Sequence, residues 1–224
     1  MPWCRFEMMV PVGVPWGDDT TGRLYRSWLG WLILLVLLFA IRPAGAREAG
    51  EIVSVLGAVE VLREGGWQVV GVGEVLKAGE MVRTGESSRV AIQLANGSQL
   101  KLNANSRLEL KTITAPTAGI SPASIQPQSS ILHFINGEIW IRTVGEPLEV
   151  QSLPATATVR GTEFNLAVGP NDIARLAVLD GRVEFSNSQG SVLVAANEQA
   201  TAKVGEAPRK TVLLDPLDAV QWSL

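Results

Sequence analysis

Beyond residue 46 the chain alternates apolar and polar positions at period two. Val90-Ala91-Ile92-Gln93-Leu94, Leu100-Lys101-Leu102, Leu108-Glu109-Leu110 and Phe164-Asn165-Leu166-Ala167-Val168 follow this pattern, which predicts half-buried strands. Tight-turn dipeptides stand between such runs at Asn96-Gly97, Asn136-Gly137 and Asp180-Gly181, where Asn, Asp and Gly tolerate the positive φ of a two-residue turn. Three hairpins are therefore predicted, pairing 89–95 with 98–102, 130–135 with 138–144, and 173–179 with 182–186. Further strands are read over Ile52–Leu62, Trp67–Val72, Leu148–Gln151, Ser191–Ala195 and Gln199–Val204. The expected body is all-β, a stack of antiparallel hairpins forming a solenoid-like β-roll or sandwich. Thr114–Ser129 carries Pro116, Pro122 and Pro127 and reads as a surface loop, because proline supplies no ladder donor.

The first 46 residues follow a different pattern. Trp28–Ile41 is an uncharged run of 14 residues preceded by Arg23 and Arg26. A bilayer-spanning helix needs about 20 apolar residues, so this run suits the hydrophobic helix of a signal peptide. Ala44 and Ala46 supply a small-x-small cleavage pattern behind Pro43. The leading expectation is export with cleavage after Ala46; the other reading keeps 28–41 as a signal anchor with Arg23 and Arg26 on the cytoplasmic side. Segments 47–80, 81–186 and 187–214 then form the β body. At 215–224, Asp215-Pro216-Leu217-Asp218 reads as the start of a short helix, or of a junction to another domain.

Composition narrows the chemistry. With 19 Lys+Arg against 22 Asp+Glu the net charge is −3, and no basic stripe is present, so nucleic acid is not an expected partner. One Cys (Cys4) and one His (His133) exclude disulfide frameworks and Cys/His metal sites; no cofactor and no metal is expected. His133 shares a strand face with Ile131 and Ile135 and reads as a packed or surface side chain. Gly71 and Gly73 lack the third glycine and the following helix of a dinucleotide loop. Glu138, Glu163, Asp180 and Glu184 sit near strand ends as solvated or turn-forming residues, so no catalytic residue is assigned. Trp67 and Trp140 are the candidate recognition residues, since indole rings offer large contact area with one donor. Trp140 either faces outward beside Glu138 and Arg142 or covers a second layer.

Four segments resemble one family in order along the chain. They are Val82-Arg83-Thr84-Gly85-Glu86 with Leu94-Ala95-Asn96-Gly97-Ser98, then Phe134-Ile135-Asn136-Gly137-Glu138-Ile139-Trp140-Ile141, then Thr156–Phe164, then Val178-Leu179-Asp180-Gly181-Arg182-Val183-Glu184-Phe185. Together they are similar to the FecR-type domain, the extracytoplasmic domain of ferric-citrate regulators. Thr156–Phe164 is the most specific of the four segments, above all Val159-Arg160-Gly161-Thr162-Glu163-Phe164. Beside the resemblance, Gly161 reads as a position of special backbone conformation or close approach, and Arg160 as a partner for Glu163 or Glu184.

The resemblance implies stacked all-β sheets outside the cytoplasm, without catalytic residues. In the best-known members this domain receives a signal from an outer-membrane transporter, and a cytoplasmic segment controls a sigma factor. Only 27 residues precede Trp28, which does not resemble that segment. Other members carry the domain behind a signal peptide and ahead of helical repeats. The partner expected here is thus another envelope protein or a helical-repeat domain, with membrane contact only through the N-terminal segment.

Overall fold

A computed structural model of the chain describes residues 47–113, 129–212 and 220–223. The predicted leader helix at 28–41, the cleavage residues Ala44 and Ala46, and most of the proline-rich loop lie outside the described residues.

The strands run as β1 (Glu48–Leu56), β2 (Val59–Arg63), β3 (Gly66–Val69), β4 (Val75–Lys77), β5 (Met81–Thr84), β6 (Arg89–Leu94), β7 (Gln99–Leu102), β8 (Arg107–Thr112) and β9 (Ser130–Arg142). They continue as β10 (Leu148–Gln151), β11 (Thr156–Val159), β12 (Glu163–Val168), β13 (Ile173–Asp180), β14 (Arg182–Asn187), β15 (Gly190–Ala195), β16 (Glu198–Lys203) and β17 (Glu206–Val212). A single 3-10 turn at Gln221–Ser223 follows.

These strands build two sheets. In the front sheet the order is β4-β1-β6-β7-β9-β12-β13-β16-β17. In the back sheet it is β3-β2-β5-β8-β9-β10-β11-β14-β15. The long β9 belongs to both, pairing β8 and β10 through its first half and β7 and β12 through its second. Only β9–β10 is parallel, because the chain completes a full wrap between the two strands; a parallel neighbour always requires such a crossover. The inner faces bury Phe134, Phe164 and Phe185 with a continuous set of Leu, Ile and Val.

Strand register shows where the chain crosses between sheets. Crossings at Gly57-Ala58, 70–74, 85–88, 103–106 and Gly137 lie along one rim, and those at 78–80, 143–147, 160–162, Gly181 and 196–197 along the other. A strand bent over a rim leaves backbone groups without ladder partners, and buried groups of this kind must be satisfied some other way. Small hydroxyl side chains do this. At the first rim Ser88 Oγ accepts from Ala58 N at 2.9 Å, Thr84 Oγ1 accepts from Ser106 N at 3.0 Å, and Ser106 Oγ accepts from Glu138 N at 3.0 Å. All three side chains are buried.

This arrangement corrects two of the predicted hairpins. Asn136-Gly137 is not a hairpin turn: β9 continues through it with a kink, and Gly137 adopts φ +101° as the chain steps from the back sheet to the front. Asp180-Gly181 likewise joins β13 of the front sheet to β14 of the back, so 173–179 pairs with β12 and β16, and 182–186 with β11 and β15. Asn96-Gly97 does close the β6–β7 hairpin, but with a three-residue loop: Leu94 N donates to Ser98 O at 2.8 Å, and Gln93 faces Gln99. The single predicted strand Ile52–Leu62 is two, bent at Gly57, where φ is +74°. Strands β4, β5, β11 and β17 carry no turn dipeptide or long alternation and were not foreseen.

A Cβ at Gly137 would stand 2.2 Å from Ser106 Oγ and 2.5 Å from its Cα, whereas one at Gly97 would meet nothing within 4 Å. Gly137→Ala is expected to lose about 3 kcal/mol or more of unfolding free energy, through overpacking added to backbone strain. Gly97→Ala should lose only about 1 kcal/mol, the backbone cost alone. Urea titration of both variants checks this, and equal losses would contradict the crossing.

Candidate functional site

Of the segments that carry the family resemblance, Arg160-Gly161-Thr162 and Asp180-Gly181 lie at the second rim and Trp140 and Glu163 on the outer face of the front sheet, while 82–86 and Asn136-Gly137 lie at or beside the first rim. Arg160-Gly161-Thr162 forms the rim crossing from β11 to β12, with Gly161 at φ +61°. Thr162 N donates to Thr143 Oγ1 at 2.8 Å, and Thr143 N to Thr162 O at 2.9 Å, so two successive crossings are stapled together. Thr162 Oγ1 donates to Arg182 O at 3.1 Å and thereby reaches the next crossing. Gly181 sits so close that a Cβ there would stand 2.9 Å from Gly161 O. The motif glycines and threonine thus hold backbone to backbone. Phe164 follows, fully buried between the sheets.

Arg160 does not pair with Glu163 or Glu184 as expected. Its Nε donates to Gly145 O at 3.1 Å, while Glu163 is engaged elsewhere. Glu163 Oε1 accepts from Trp140 Nε1 at 3.2 Å, and Oε2 accepts from Arg142 Nη2 at 2.8 Å. Both partners come from β9, because Glu163 faces Arg142 and Asn165 faces Trp140 in the register.

Trp140 resolves the two readings left open for it. Ile139 and Ile141 point into the core, so the indole lies on the outer face of the front sheet, yet it is only 5% exposed. Lys101 Nζ stands 5.0 Å and the Arg142 guanidinium 5.3 Å from the ring centroid, within cation–π range. Lys101 also donates to Ser223 O, and Val220 and Ser223 of the C-terminal turn are buried. Beside the ring, Glu138 accepts from Asn103 Nδ2 at 2.8 Å and from Asn165 Nδ2 at 2.9 Å. Asn165 is itself 5% exposed on this outer face. The result is a polar and aromatic platform under long side chains. Asn136 serves the first rim instead, donating from Nδ2 to Asn105 O at 2.8 Å.

Trp67 lies apart from this platform, on the outer face of the back sheet opposite Leu62. The Arg83 guanidinium stacks 4.0 Å from its centroid, and Arg107 stands at 5.7 Å. Arg83 also donates to Glu60 at 2.7 Å, and this hydrogen bond is the main reason the Glu60 carboxyl is held below its ordinary range. His133 stays with Ile131 and Ile135 on the same outer face, with Nδ1 3.2 Å from Glu109 Oε2 of the neighbouring strand. Asp180 ends β13 at the second rim, and Glu184 lies on the back sheet's outer face opposite Thr158. Among the described residues the sequence-singled carboxylates therefore do not converge on one cleft. Missed by sequence reasoning were Thr143, Ser106 and Asn165; no local pattern marks them, since their partners lie 19 to 32 residues away.

Thr162→Val removes the hydroxyl from Arg182 O and is expected to lose about 1–3 kcal/mol of stability. Thr162→Ser should keep most of it, and Arg160→Ala should stay within about 0.5 kcal/mol of wild type. Urea unfolding of the three variants checks this; an Arg160→Ala loss exceeding that of Thr162→Val would contradict a backbone-stapling role.

No curated protein matches the chain. Two solved structures of a "putative anti-sigma factor" from Parabacteroides distasonis ATCC 8503 share its fold, at 1.65 Å and 2.50 Å resolution. Each is 19% identical, with TM-scores of 0.52 and 0.51 and 64% of this chain covered. The similarity spans 64% and 63% of those chains. The family described as FecR protein matches over residues 80–184, the stretch from the end of the β4–β5 crossing to the middle of β14. Residues 80–184 of this chain are a FecR domain.

Proposed function

We propose that the chain is an exported, non-catalytic signalling module of the cell envelope, which binds another protein through the outer faces of its stacked sheets. The observation that carries this reading is the use of the motif's polar groups. Thr162, Gly181 and Glu163 hold crossings or a neighbouring strand, and recognition is left to the exposed side chains of the outer faces. The FecR domain supports a regulatory role, and such domains are typically extracytoplasmic parts of membrane regulators. The similarity to a protein described as an anti-sigma factor is consistent with signalling. The uncharged run at 28–41 behind Arg23 and Arg26 favours a second form of the same reading, with the module anchored in the membrane and transmitting an extracytoplasmic signal.

Fusing alkaline phosphatase behind Leu224 tests the proposal, since that enzyme is active only outside the cytoplasm. Activity is expected, together with altered transcription of a limited gene set when the chain is deleted. An inactive, cytosolic fusion would overturn the reading. Intact mass separates its two forms: a product beginning at Arg47 marks the free module, and one retaining 28–41 the anchored form.

A further inference from the structure

Two sheets have four edge strands: β4 and β17 in front, β3 and β15 behind. Edge strands offer unpaired backbone groups to any other strand, and proteins blunt those they do not use. Three of the four are blunted here. On β4, Arg63 Nη2 donates to Val75 O at 3.1 Å, and Lys77 N donates to Glu80 Oε2 at 2.9 Å. Arg63 is fixed in this role by Glu74 at 2.7 Å and Glu80 at 3.0 Å, and the Glu74 hydrogen bond raises its pKa further. On β17, Pro208, Arg209 and Lys210 occupy the strand itself. At β15, Glu198 Oε2 accepts from Ala195 N at 2.8 Å, and the start of β17 is tied alongside by Asn187 Nδ2 donating to Glu206 O at 2.7 Å.

β3 has none of these devices. Gly66-Trp67-Gln68-Val69 contains no proline and no charge, and among the described residues nothing pairs with its outer side. It is also where exposed aliphatic side chains gather. Val69 is 78% and Val72 67% exposed, with Leu62 and Val75 half-exposed nearby.

We infer that β3 is a self-association edge, pairing antiparallel with β3 of a second copy about a two-fold axis normal to the sheets. The sequence fits its own reverse. In antiparallel pairing, opposed residues share a face, so a two-fold pairing must set residues of equal parity opposite each other. Centring the axis on Gln68 pairs the whole of 65–71 with itself. Gln68 then meets Gln68, and Trp67 of one copy faces Val69 of the other, twice. Aromatic against β-branched is a favourable cross-strand pair, and it covers the exposed Val69. The axis centred on Trp67 or on Val69 leaves part of the segment unmatched or sets Trp67 opposite Gly71. A contact this short is small for an interface, so association depends on concentration.

The test uses the full chain purified from the envelope in detergent, in a Cys4→Ser background. Gln68→Cys should form a disulfide-linked dimer on mild oxidation, while Leu153→Cys, exposed elsewhere on the body, should not. Sedimentation velocity of the wild type should show a monomer–dimer equilibrium, weakened by at least about tenfold in Val69→Lys. The melting temperature of that variant should be unchanged, since the side chain is exposed. Three outcomes overturn the proposal: a monomer at every concentration with no cross-link at position 68, equal cross-linking at position 153, or a position-68 cross-link in the envelope to a different protein. The last would assign β3 to a foreign strand.

Discussion

The structure depends on how a strand leaves one sheet and enters the other without stranding its backbone. Each bend takes several N–H and C=O groups out of both ladders, and leaving such groups buried and unpaired costs about 1–3 kcal/mol apiece. The chain meets this constraint at each rim with a glycine that permits the bend and a hydroxyl that replaces the lost partner. Gly137 with Ser106, Gly57 with Ser88, and Gly161 with Thr162 and Thr143 are three cases of one solution. The hydrophobic layer between the sheets supplies the driving force, but the rims determine which strand lies beside which.

The same device explains what was legible beforehand. Alternation in Arg89–Leu94, Gln99–Leu102 and Glu163–Val168 identified strands and their inward faces correctly. The connection between strands was misread for a physical reason. Inward residues are Leu132 and Phe134 before Asn136-Gly137, and Ile139 and Ile141 after it. That one-residue change of phase is what a two-residue hairpin produces, and also what a single kink over a rim produces. Asp180-Gly181 carries the same ambiguity, between Leu176 and Val178 on one side and Val183 and Phe185 on the other. Asn96-Gly97 shows no change of phase, in keeping with its three-residue loop.

Trp140 was legible as a residue of interest, and its environment was not. Alternation places it on the outer face beside Arg142, but the second cation over the ring, Lys101, comes from β7, which no local pattern connects to it. The Glu163 contacts to Trp140 and Arg142 equally depend on β12 lying beside β9. The β body offers two broad outer faces and, at β3 outside the FecR domain, a sheet edge without proline or charge. Within the family motif, Thr162 and Gly181 hold successive rim crossings together.

The account rests on β9 as one strand shared by both sheets. Cross-strand nuclear Overhauser effects on the folded protein test this directly, because the two arrangements give His133 and Trp140 different neighbours. The crossing strand sets Trp140 across from Lys101 and Asn165, and His133 across from Glu109 and Gln151. Contacts between those backbones are the predicted result. Contacts between His133 and Trp140 themselves, as a hairpin centred on Asn136-Gly137 would give, would contradict it.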